Sequence, residues 1–155
     1  MNYMMTILLA AGMGAAQTIS ADSGEHAISQ ETLIQGMQSW DGSTFAYPGG
    51  QAELAVVRIK VSDGTRLPWH CHPSPLAGVL TQGELEVSKP NGERMVLQRG
   101  EALIEVSKLW HRGEARGDVE ILVVYAGSAG LPLSVGQEAE PEQLALCEPW
   151  PDSAQ

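Results

Sequence analysis

Hydrophobic residues along this chain recur in short alternating runs bounded by glycine, the two-residue rhythm of half-buried strands. Glu53 to Val61, ELAVVRIKV, is β-branched and partly alternating and predicts a strand that Asp63-Gly64 then turns. Leu76 to Leu80, Glu84 to Ser88, Arg94 to Leu97, Ala102 to Val106 and Val119 to Tyr125 follow in the same manner. Asn91-Gly92, between two of these runs, is a hairpin signal. At least six short strands spaced by glycine turns predict an all-β sandwich or barrel. Only Glu31 to Trp40 suggests a short helix. Length adds one constraint: 155 residues without repeat, charge block or linker suit one domain with a proper core.

The N-terminus breaks the pattern. MNYMMTILLAAGMGAAQTIS holds an uncharged apolar run from Met4 to Ala16, with Gly14 and Ala16 at the small positions a signal peptidase needs. The run is too short to span a bilayer. It predicts a signal peptide over 1–16, although no Lys or Arg precedes it; a buried strand or helix is the other possibility. An N-terminal arm over 17–51, a barrel over 52–127 and a C-terminal extension over 128–155 complete the expected organisation. The expected location is periplasmic or secreted, with the cytoplasm as alternative.

Charge narrows the partners. Nine basic against nineteen acidic residues give a net charge of −10, which repels phosphate backbones and anionic lipid heads. Neither nucleic acid nor, once the leader is removed, a membrane is expected. The expected partner is a small-molecule ligand, and an exposed strand edge with an outward Trp69 allows a homodimer. Cys71 and Cys147 are the only cysteines. An oxidising compartment permits a disulfide between them, and the sequence leaves the pairing open.

The candidate chemistry lies in PWHCHPSPLAGVLTQG, Pro68 to Gly83. On a strand, His70 and His72 share a face with Cα atoms roughly 6.6 Å apart, so both imidazoles can reach one ion at about 2.1 Å. Trp69 and Cys71 must point the other way. His111 is placed to supply a third imidazole from a returning antiparallel strand. Gly64, His70, His72, Leu76 and Gly83 have the spacing of the first cupin motif, and Gly100 through His111 that of the second, so residues 52 to 127 resemble a cupin. The resemblance implies a small jelly-roll β-barrel holding a divalent metal on His70, His72 and His111. Leu76 stands where many cupins place a glutamate ligand; Val106, Lys108 and Ala115 replace the usual proline, glycine and asparagine.

Without that carboxylate the ion keeps its full double charge and favours an anionic bidentate ligand. Three-histidine iron sites occur in cupin-type thiol dioxygenases and in the diketone-cleaving dioxygenase. The resemblance thus implies Fe(II), with Zn, Ni, Cu or Mn also suited to imidazoles, and a dioxygenase acting on a small chelating molecule. The alternative is a non-catalytic, metal-dependent binding or sensing protein. Glu105, Trp110 and Tyr125 are candidate pocket residues beside Leu76, with Glu105 expected either to accept from an imidazole N–H or to lie in solvent. Arg112 is expected to clamp a carboxylate or to be exposed, Cys71 to be a small buried hydrophobe, and His26 to play no part.

Overall fold

The computed structural model describes residues 28–151; the expected signal peptide and His26 lie outside them. Residues 28–33, the described part of a first unit, are exposed and carry no regular secondary structure. The second unit, Ile34–Gln155, contains every strand among the described residues.

These are β1 (Ala52–Val61), β2 (His70–Cys71), β3 (Leu76–Ser88), β4 (Arg94–Gln98), β5 (Ala102–Ile104), β6 (Arg112–Ser128) and β7 (Val135–Gly136), followed by a short helix α1 (Pro141–Leu144). The fold is all-β and antiparallel. One sheet has the order β1-β6-β3-β4, with β5 also paired to β3, and β2 pairs with β7 in a second. Alternation sets the register. Val119, Ile121, Val123 and Tyr125 of β6 and Leu76 and Leu80 of β3 turn inward, while Leu122 and Val124 turn outward. The buried set with Leu85, Val87, Leu97 and Leu103 forms the main core.

Two runs expected as separate strands, Leu76 to Leu80 and Glu84 to Ser88, form one continuous β3. Register shifts against β6 at Gln82 absorb the interruption. Gly83 makes this possible. Its φ is +76°, and a Cβ there would lie 2.6 Å from the Asp118 carbonyl oxygen. The Asn91-Gly92 turn closes β3 onto β4 as expected, with Gly92 N–H donating to the Lys89 carbonyl at 3.0 Å.

The helix expected over Glu31 to Trp40 is absent. Residues 31–38 are all exposed, so no apolar face is buried to offset helix nucleation, and Gly36 weakens the segment further. A turn forms instead, with Ser39 N–H bonded to the Ser43 carbonyl, and Trp40 N–H donates to the Ile104 carbonyl at 3.0 Å. This contact carries the Trp40 indole to the core.

Replacing Gly83 by Ala combines a left-handed backbone with a collision against main chain that cannot move aside. The expected loss is about 2–3 kcal/mol, read as a lowered urea midpoint at unchanged slope.

Candidate metal centre

His70 and Cys71 are the whole of β2, and neighbours on several sides hold this short strand. Its partner β7 sets His70 opposite Gly136 and Cys71 opposite Val135. On the other side His70 N–H donates to the His111 carbonyl at 3.0 Å, and His111 N–H returns a bond to the His70 carbonyl at 2.9 Å. This antiparallel bridge brings the third histidine back beside the first two. Beyond β2, the His72 carbonyl accepts from Lys108 N–H at 2.7 Å. Lys108 occupies the left-handed region at φ 63°, where a glycine is more usual.

The three rings form one cluster, with centroids 5.0, 4.5 and 4.9 Å apart for the pairs His70–His72, His70–His111 and His72–His111. One nitrogen of each lies within 4.8 Å of the others. The opposite nitrogens explain the orientation. Nδ1 of His70 is 2.8 Å from the Pro68 carbonyl, Nδ1 of His72 is 2.8 Å from that of Leu133, and Nδ1 of His111 is 2.9 Å from that of Leu109. A carbonyl only accepts, so each Nδ1 carries the proton and each Nε2 offers its lone pair. The donor set fits a divalent ion: three neutral imidazoles, tautomers fixed from behind.

A cavity of about 80 Å³ opens on this cluster. Apolar side chains line most of it, among them Leu76, Ile121 and Val123, and its polar part is His70, His72, His111, Glu105 and Tyr125. Leu76 points inward, as its place in the pattern requires. Glu105 follows β5 and is buried. It does not sit behind an imidazole, because all three Nδ1 protons go to backbone carbonyls. Its Oε2 lies 3.9 Å from His111 Nε2, on the cavity side. Its Oε1 accepts from Trp40 Nε1 at 2.7 Å and from Val106 N–H at 2.9 Å. A carboxylate therefore reaches the cluster from the second motif although Leu76 leaves none in the first. Tyr125 meets His72 edge-on at 5.5 Å between ring centroids.

Three other candidates lie elsewhere. Trp110 does not line this cavity; its indole turns to the opposite face, packs near Cys71 and Val135, and donates to the Glu148 carbonyl at 2.8 Å. Strand alternation next to a ligand puts it there. Trp69 joins the same cluster, partly buried and edge-on to Trp150 at 5.5 Å. Arg112 stacks its guanidinium 4.2 Å above the Trp69 ring rather than clamping a carboxylate. Cys71 is fully buried and bonded to Cys147, which ties the C-terminal segment to the back of the ligand strand.

A family description, Cupin domain, matches residues 57–125. No curated protein sequence matches the chain. Among solved structures, similarity extends to a Neisseria meningitidis protein at TM-score 0.43 and 19% identity, covering 50% of this chain and 84% of that one. The DMSP lyase DddQ from Ruegeria pomeroyi DSS-3 gives TM-score 0.49 and 22% identity, covering 64% and 49%. A salicylate 1,2-dioxygenase from Pseudaminobacter salicylatoxidans gives 0.43 and 17%, covering 46% and 20%. The chain thus spans about half of that lyase and a fifth of that dioxygenase.

Burial sets the protonation of the site. It pushes both His72 and His111 down to about 3, and the neighbouring imidazoles add to the effect. Burial raises the Glu105 carboxyl against the opposing pull of the Val106 N–H. Below the usual histidine value of 6.5 the unfolded chain takes up two protons that the folded chain refuses, so stability is complete above that value and falls as pH drops toward 3. Glu105 acts in the opposite sense, since its raised value favours the folded state at low pH, but one carboxyl stands against two imidazoles. The metal-free protein should therefore show a lower urea midpoint at pH 5 than at pH 7, with a shallower dependence in His72→Gln. An equal dependence in both proteins would refute this origin.

Proposed function

Residues 57–125 of this chain are a cupin domain, and from that premise we propose that the protein is a metal-dependent enzyme, a non-haem dioxygenase acting on a small chelating organic molecule. The convergence of three Nε2 lone pairs on a mostly apolar cavity, beside one buried carboxylate, carries this reading. Bound there, a divalent ion, Fe(II) by preference over Zn, Ni, Cu or Mn, would supply positive charge for an anionic chelate and, as iron, redox chemistry with oxygen.

The chain's own groups divide the remaining tasks. His70, His72 and His111 hold the ion without adding charge. A cavity of only about 80 Å³ favours a compact substrate. Leu76, Ile121 and Val123 cover its hydrocarbon part and exclude water. Glu105 Oε2 accepts the proton that such a substrate loses on becoming an anion, while Trp40 and Val106 keep Oε1 fixed. Burial, and then the Glu105 charge, raise Tyr125, so its hydroxyl stays protonated and donates to a substrate oxygen.

The Cys71–Cys147 disulfide supports placement in an oxidising compartment, periplasmic or extracellular. The same observation favours a second reading, a metal-dependent binding or sensing protein, because Fe(II) is hard to keep reduced there.

Elemental analysis with an oxygen-uptake screen separates the two. Near-stoichiometric iron with substrate-dependent oxygen uptake is expected, and His72→Ala should lose the metal. Glu105→Gln should retain metal and lose about 100-fold or more in turnover. Full metal occupancy in His72→Ala would sink the three-histidine site; full activity in Glu105→Gln would remove the proton-accepting role.

A further inference from the structure

Four cationic side chains flank residues that line the metal cavity, yet none of them enters it. Arg58 and Lys60 stand on either side of Ile59, Arg66 precedes Leu67, and Arg112 precedes Gly113, while Ile59, Leu67 and Gly113 all line the cavity. Strand alternation turns Arg58, Lys60 and Arg112 away from it. Arg58 and Lys60 pair with Glu120, Arg66 pairs with Glu114 at 2.6 Å, and the Arg112 guanidinium lies over Trp69. Among the described residues, no lysine or arginine lines the cavity, and its single carboxyl is Glu105. The lining also locates the mouth. Ile59, Leu67 and His70 are half-buried and the other lining residues are buried, so the cavity meets solvent between Ile59 and Leu67, beside His70. Main-chain bonds fix Leu67 there: its N–H donates to the Gly113 carbonyl at 2.8 Å, and Ala115 N–H donates to the Thr65 carbonyl at 2.9 Å.

We propose that the site selects a chelating substrate with one acidic head and a short uncharged tail, and that Leu67 and Ile59 are the specificity-determining residues that meet the tail. This rests on the metal-dependent reading of the centre. A head that gives its proton to Glu105 and its oxygens to the ion is served by the polar end of the cavity. The tail then lies against hydrocarbon. A second carboxylate would find no cation along those walls, and the one charged group it could approach, Glu105, has the same sign. Unpaired charge in apolar surroundings is strongly disfavoured. Molecules with a distal carboxylate are therefore rejected, whereas the same head on an alkyl chain is accepted.

Isothermal titration of the zinc-loaded chain with two hydroxamic acids of matched length tests this. Zinc fills a three-imidazole site without redox chemistry. Butanohydroxamic acid ends in a methyl group, and succinic monohydroxamic acid carries a carboxylate in its place. Both present the same head to the ion, so the ratio of their affinities reports the tail alone. The methyl-ended probe should bind at least about tenfold more tightly. Leu67→Lys should reduce that ratio severalfold, because its ammonium reaches solvent at the mouth while the main-chain bonds of residue 67 stay as they are; zinc content and circular dichroism should be unchanged. A loaded chain that binds both probes alike, or neither, would overturn the proposal, and so would an unchanged ratio in folded, zinc-loaded Leu67→Lys. Failure of the metal-dependent reading shows separately: a chain that holds no zinc before any probe is added loses the centre itself, and the proposal with it.

Discussion

Three imidazoles with ring centroids no more than 5.0 Å apart, in a cavity lined largely by hydrocarbon, cannot all carry charge. Burial holds His72 and His111 neutral, and each ring needs a partner for its Nδ1 proton. The backbone meets that demand: the carbonyls of Pro68, Leu133 and Leu109 each take one Nδ1–H. Two of these carbonyls lie two residues before their own histidine, in the segments that lead into the ligands. The third comes from the loop before β7. Much of the remaining architecture serves to keep these acceptors in place.

The C-terminal segment is therefore part of the centre rather than an appendage. Leu133 fixes His72, β7 pairs with β2, Glu148 N–H donates to the Lys108 carbonyl, and Lys108 N–H in turn holds the carbonyl of His72. A strand of two residues has little stability of its own. Here it is pinned by backbone pairing on both sides and by a covalent bond, and the strained Lys108 conformation persists because its neighbours determine it from both directions. The N-terminal side contributes as well, since Trp40 anchors the carboxylate that faces the ring cluster.

What the sequence made legible was periodic or local. Alternation placed His70 and His72 on one face with Cys71 on the other, and glycine turns delimited the strands. Spacing brought His111 beside them. Features that depend on distant chain segments left no such trace. Nothing near Trp40 signals that its indole meets Glu105, and nothing near Leu133 marks its carbonyl as a partner of His72. Glu105 was legible as a pocket candidate but not on the correct side of the imidazoles, because that required knowing where all three Nδ1 protons go. The helix expected near Glu31 failed for a related reason: local pattern reports a possible apolar face, not whether anything lies opposite to cover it. Trp69 and Trp110, adjacent to ligands, obey alternation and pack behind them.

Cys71 stands between His70 and His72, and its bond to Cys147 bears on how firmly that strand is held. The two sulfurs join positions 76 residues apart in sequence, so the cross-link restricts chiefly the unfolded chain. Reduction would free the segment that carries the Leu133 carbonyl and with it the orientation of His72, so the geometry at the front of the strand answers to a bond made at its back.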